Sequence, residues 1–363
     1  MVTVSTGPAA PAVPLARPTA SYRTDLVTTL LGAWFTVGLF LDAWAHNNVP
    51  RLETFFTPWH AVFYSGFVAT AAWIGWTARG ALRLGRAGLQ AVPVGYASAL
   101  VAVVGFAIAG IGDFLWHTGF GIEQNINILF SPTHVGLITA MLVIVTTPLR
   151  AAWADRTLQG APGLLRLLPA VLSTALATAM VLLFLQYANV LTFHEIRVVA
   201  ALSTLDEGLT AGLVTSLAVT NLVLVAPILT IARRWVPPLG MVTLFCLALG
   251  GLSAAITGFR NIALIMAFVL AGVGVDLLSL LVRPTADRLV RYRTFAALAP
   301  LLTWTVFIAT AYVAAPELQS PPDAVLGHPE AVVELYTGAP LVQAMLGLLL
   351  AVLLVPSRSR PSG

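Results

Sequence analysis

Lysine is absent from this chain, cysteine occurs once, and only 9% of the 363 residues are charged. An ordinary soluble domain carries about 25% charged residues, so a soluble globular protein is excluded. With 58% hydrophobic residues, the composition is that of an integral membrane protein. All of the basic charge is arginine. Because the arginines fall between apolar runs, they read as topology signals and not as a nucleic-acid patch. The lone Cys246 excludes a disulfide framework and an all-cysteine metal site. A Walker A loop, an H-E-x-x-H helix and a G-x-S-x-G elbow are all missing. So are the H-x-x-x-H and H-x-x-H-H boxes of membrane desaturases, and no soluble stretch is long enough for an ATPase domain. The first twenty residues are rich in Pro, Ala, Ser and Thr and lack an apolar core. They read as a disordered tail and not as a cleaved leader.

What is present is a series of apolar runs. A membrane span needs roughly 20 apolar residues. Ten runs qualify, at 25–47, 56–78, 91–118, 131–150, 163–191, 209–232, 238–258, 262–282, 294–315 and 338–355. The expected fold class is therefore an all-α polytopic helical bundle of about ten spans. It divides into a tail (1–22), a four-helix region (23–153), a six-helix region (154–356) and a second tail (357–363). Arginines follow the second, fourth, sixth, eighth and tenth runs, and Arg17 and Arg23 precede the first. The alternate loops carry only Arg51, Arg197 and Arg260. This asymmetry predicts a cell-membrane protein with both termini cytoplasmic.

Four of the six histidines lie in two stretches of like pattern. One runs Asp42-Ala-Trp-Ala-His46, Glu53, Thr57-Pro58-Trp59-His60; the other runs Asp113-Phe-Leu-Trp-His117, Glu123, Ser131-Pro132-Thr133-His134. Asp and His four apart share a helical face. Ser or Thr before Pro marks a helix start, with the hydroxyl as cap and Pro at the first helical position. Each stretch is thus a helix end, a turn and a helix start, and the pair reads as a duplicated helical hairpin opening toward the outer face. A histidine in hydrocarbon must be paired. One carboxylate and two imidazoles can bind a metal, relay protons, or simply cap helix ends. Copper or zinc favours imidazole with an added carboxylate, and three protein ligands leave a coordination position open. Glu53 and Glu123 are candidates to orient the imidazoles or to add a fourth ligand. Trp44, Trp59 and Trp116 read as interfacial aromatics.

Other polar residues inside the runs are less specific. Asp276 sits deep in the eighth, as an intramembrane proton or ion path or as an internal hydrogen-bond partner. Asn221 is expected to bond a neighbouring helix, and Gly250, Gly251, Ser253, Ala254 and Ala255 to permit close helix packing. Arg260 is expected to snorkel to the interface. His194 and His328 lie in longer outer loops, at 192–208 and 316–337, that could cap the helix ends.

The residues Asp42, His46, Thr57, Pro58 and His60, followed by Asp113, His117, Glu123, Pro132 and His134, resemble the metal-binding region of a particular protein family. It is the copper-binding membrane subunit of the particulate methane and ammonia monooxygenases. The likeness spans about residues 30–150. It implies that Asp42, His46 and His60 match one copper site and Asp113, His117 and His134 the other. Asp113 stands where that family has Asn, the turns between the histidines are longer, and spans five to ten have no counterpart. The family's enzyme also works with partner membrane subunits.

On these grounds the expected protein binds a metal, with copper favoured and zinc or iron as alternatives. It would act as an oxygen-dependent monooxygenase, or as one part of such an enzyme, on a small apolar substrate. A metal- or proton-coupled transporter using Asp276 is an alternative, as is a non-catalytic structural or assembly protein. The expected partners are the lipid bilayer and either partner subunits or further copies of the chain.

Overall fold

The computed structural model describes residues 17–49, 56–86, 88–121, 125–204, 206–315 and 332–357. Glu53, Glu123 and His328, and most of the loop 316–337, lie outside the described residues. Among those described the chain is all-helical and has no strand. The helices are α1 (Tyr22–Asn48), α2 (Pro58–Arg83), α3 (Ala97–Phe120), α4 (Pro132–Val145), α5 (Thr147–Ala154), α6 (Leu164–Phe184), α7 (Glu195–Leu202), α8 (Glu207–Ala232), α9 (Met241–Ile256), α10 (Ile262–Val282), α11 (Leu289–Ala314) and α12 (Val333–Leu354).

Eight segments are long and apolar enough to cross a membrane, with α4 and α5 counting as one, Pro132–Ala154. They fit a multi-pass membrane protein. The two expected spans outside this set are α2 and α9. Helix α9 has 16 residues, short of the roughly 20 a bilayer needs. Helix α2 has 26 residues but carries His60, Ser65, Thr70, Thr77, Arg79 and Arg83. Both still lie along a long apolar neighbour, α2 on α1 and α9 on α10.

The α1–α2 contact is unusually close. A Cβ on Gly38 would stand 2.8 Å from Phe63 Cα, and one on Gly66 would stand 2.7 Å from Phe35 Cα. The order of these pairs makes the helices antiparallel. Absent side chains let the backbones touch, the main device for helix association in lipid. Phe35, Phe63, Phe67 and Phe106 fill the space beside this crossing, and Phe35 and Phe63 stack at 5.2 Å.

Helix α6 is the centre of the bundle, against α1, α4, α5, α8 and α9. Beyond Arg166 in its first turn it carries only apolar residues and small hydroxyls, and most of it is buried. The span of α4 and α5 bends at Thr146, because Pro148 lacks the N–H that would bond Ile144. The Thr147 hydroxyl bonds the Ile144 carbonyl instead, at 2.7 Å. The Arg150 guanidinium covers the Val143 carbonyl at 2.7 Å and the Thr146 and Thr147 hydroxyls. An arginine within an apolar span is thereby fully engaged.

The expected fifth span stops short. Helix α6 ends at Phe184, and the chain makes two 3-10 turns, Gln186–Ala188 and Val190–Thr192, before α7. Val190, Leu191, Val198 and Leu202 are fully buried, so this segment is packed into the bundle end. Its carbonyls are met from outside. Asn261 donates to Leu191 and Phe193, and Asn189 donates to Ser253. Asn221 joins three helices, donating to the Gln343 carbonyl and accepting from Trp304.

Candidate metal centres

At the C-terminal end of α1, Asp42 and His46 stand one turn apart and face the start of α2. Thr57 caps α2, with its hydroxyl oxygen accepting from the His60 amide at 3.1 Å. The same hydroxyl pairs with His60 Nδ1 at 3.1 Å. One oxygen therefore begins the helix and fixes the ring on it, turning Nε2 inward. His60 Nε2 lies 3.5 Å and His46 Nε2 3.7 Å from the same carboxylate oxygen, Asp42 Oδ2.

The second set has the same construction at the end of α3 and the start of α4. Ser131 caps α4 through the His134 amide at 3.3 Å and pairs with His134 Nδ1. His117 Nδ1 pairs with the Gly121 carbonyl at 3.3 Å. Nε2 of His117 and Nε2 of His134 each lie 3.6 Å from Asp113 Oδ1. The turn before His134 is longer than the one before His60. The added length is taken up in part by the 3-10 turn Asn125–Phe130, and the second set closes as tightly as the first.

The separations decide what these groups suit. An N–H···O hydrogen bond spans about 2.7–3.2 Å, and all four Nε2–carboxylate distances exceed it. Ligands about 2.1 Å from one tetrahedral ion stand roughly 3.4 Å apart. The observed 3.5–3.7 Å is close to that edge length, and in each set three ligand atoms lie within 4.8 Å of one another. The His60, His117 and His134 imidazoles are held at Nδ1 by a hydroxyl or a carbonyl, the arrangement that orients a metal-ligating histidine. Among the described residues Asp42 Oδ1 is buried and accepts no hydrogen bond, a costly state for a carboxylate that has no cation. Donor type, distance and this orphaned oxygen all fit a divalent ion.

The two sets are neighbours. Phe56 and Phe114 rings meet at 5.9 Å across the two hairpins. Tyr64 lies one turn beyond His60, its ring 6.2 Å from the imidazole, and its hydroxyl stands 3.5 Å from where a Cβ on Gly110 of α3 would be. It is near enough to both carboxylates to feel their charge. The sequence pattern did not single out Tyr64; its i+4 spacing from His60 was the available signal.

The remaining predicted residues are elsewhere. Asp276 on α10 is buried and accepts from the Val242 and Thr243 amides at 2.9 Å each and from the Thr243 hydroxyl at 2.6 Å. Those amides open α9, whose own cap position, Gly240, has no side chain to offer. Asp276 is thus an N-cap supplied by another helix. His194 stands before α7 and joins neither set. Arg260 is exposed and bonds its own turn at Thr257.

The molecule is of the multi-pass helical membrane class, with two groups of two histidines and one aspartate at one end of adjacent helical hairpins. Compared with family models, curated proteins and solved structures, the chain gives no match.

Proposed function

We propose that the chain is a membrane metalloprotein holding one ion on Asp42, His46 and His60 and a second on Asp113, His117 and His134. The observation that carries this reading is the set of four imidazole–carboxylate separations at 3.5–3.7 Å. They are too long for hydrogen bonds and close to the spacing of ligands around one ion. Imidazole nitrogen with one carboxylate suits copper, zinc and iron, and copper is favoured among them on the resemblance alone. The likeness to the membrane subunit of the particulate monooxygenases also points toward oxidation of a small apolar substrate by dioxygen. Bound copper would supply the dioxygen chemistry. The chain's own part is to hold three ligands and leave a position open, with Thr57 and Ser131 fixing the rings. In this reading the helical hairpin is duplicated, α2 and α9 cross the bilayer with the eight longer spans, and the arginine distribution puts both sets at the outer face. Partner subunits or further copies of the chain would complete the enzyme.

A transporter would need Asp276 on an ion path, and both oxygens of that carboxylate are already engaged by α9. The test is elemental analysis of protein purified in detergent. Wild type is expected to hold two metal ions per chain and the double variant His46→Ala, His117→Ala none. A full metal complement in the folded double variant would refute the assignment.

A further inference from the structure

The two ligand sets differ in a contact made to the carboxylate itself. Asp113 Oδ1, the oxygen facing both imidazoles of its set, also accepts a 2.9 Å hydrogen bond from the Thr133 hydroxyl. The matching position in the first hairpin, between Pro58 and His60, is Trp59. Trp59 has no hydroxyl and packs edge-on against Trp44 at 5.8 Å. Among the described residues Asp42 has no hydroxyl in place of that of Thr133, and its buried Oδ1 has no hydrogen-bond partner.

A buried carboxylate oxygen without a donor raises the free energy of the ion-free state, and a cation removes that cost on binding. At Asp113 the Thr133 hydroxyl has already lowered the ion-free state and occupies a lone pair on the ligating oxygen. A hydroxyl neighbour also orients its carboxylate, which helps binding. Asp113 gains little from this. Its side chain is only 2% exposed and is confined by packing whether or not Thr133 holds it. The stabilised ion-free state is the larger effect.

Building on the metal reading above, we infer that the two sites are unequal and fill in order: the Asp42 site binds first and more tightly, and Thr133 is the residue that makes the Asp113 site the weaker one. Proximity acts in the same direction. The two carboxylates are near enough to interact electrostatically, so a cation in the first site disfavours a second cation beside it. Asp42 can also offer both oxygens to an ion, whereas one oxygen of Asp113 is shared with Thr133.

The test is a titration of chelator-stripped, detergent-purified protein with Cu(II), read by equilibrium dialysis and by electron paramagnetic resonance. Wild type is expected to bind in two steps whose dissociation constants differ by at least about tenfold. His117→Ala is expected to keep the tight step and His46→Ala only the weak one. Thr133→Val replaces no ligand; it removes the hydroxyl's bond to Asp113 Oδ1 and its 3.2 Å contact with Ser131 Oγ, and keeps the methyl group that lies 3.5 Å from where a Cβ on Gly112 would stand. It is expected to tighten the weak step toward the first. Two equal steps, loss of the tight step in folded His117→Ala, or a weaker second step in Thr133→Val would each overturn the ordering while leaving metal binding intact. No binding of Cu(II), Zn(II) or Fe(II) by wild type would refute the metal reading itself.

Discussion

Replacing Gly38 by Ala tests whether helix contact sets the ligand geometry. The new Cβ would stand 2.8 Å from Phe63 Cα, 3.1 Å from its amide nitrogen and 3.3 Å from the Val62 carbonyl carbon. These are backbone atoms, so no side chain can rotate away. Restoring ordinary contact requires α1 and α2 to part by roughly 0.7–1 Å in an interior with few voids. Alanine gains about 1 kcal/mol in helix propensity, but overpacking costs about 1–3 kcal/mol, and a backbone clash belongs at the upper end. Asp42 lies one turn above Gly38, and His60 lies less than one turn from Phe63. An ion that draws Asp42 and His60 together must work against the same strain, which weakens binding by roughly 5- to 150-fold. Gly66→Ala creates a similar clash with Phe35 nearly two turns from His60, and is expected to lower stability with a smaller loss of metal. The assays are the thermal midpoint in detergent and Cu(II) affinity by dialysis. A Gly38→Ala protein with unchanged midpoint and unchanged affinity would refute the claim that this contact positions the site.

Thr57→Val removes both the α2 cap and the anchor of the His60 ring. It is expected to cost about 1 kcal/mol of stability and about 10- to 100-fold in affinity at the first site, with Thr57→Ser close to wild type in the same dialysis. Asp276→Ala leaves three donors at the start of α9 without their acceptor and is expected to destabilise the fold by about 3 kcal/mol, at roughly 1 kcal/mol per bond, read as a lower thermal midpoint. Asp276→Asn keeps an acceptor and is expected to lose less, and metal content is expected to stay unchanged in both. A stable Asp276→Asn protein that had lost metal would place that carboxylate in the metal chemistry after all.

The local chemistry of the site was readable in one dimension. Ser or Thr before Pro announced the starts of α2 and α4, and i, i+4 spacing put Asp42 with His46 and Asp113 with His117. What was not readable is what depends on the third dimension. Asp276 reads as an intramembrane carboxylate because only the fold brings the start of α9 to it. The Gly38–Phe63 and Gly66–Phe35 notches are invisible until two helices are laid together, since an isolated glycine in a helix has many explanations. The run 163–191 looked like one span because Val190 and Leu191 are apolar. Their apolarity serves a folded-in connector instead, and the composition of the two cases is the same. The difference between Thr133 and Trp59 was in plain sight, but only the 2.9 Å bond to Asp113 gives it meaning.

Among the described residues each group of one aspartate and two histidines lies within a single hairpin, from Asp42 to His60 and from Asp113 to His134. Among the described residues, no ligand comes from later in the chain. Formation of the proposed sites can therefore keep pace with synthesis, since α1 and α2 already carry Asp42, His46 and His60 before α3 has left the ribosome. An ion arriving then would tie the two helices together early and give the helices that follow a fixed edge to build against.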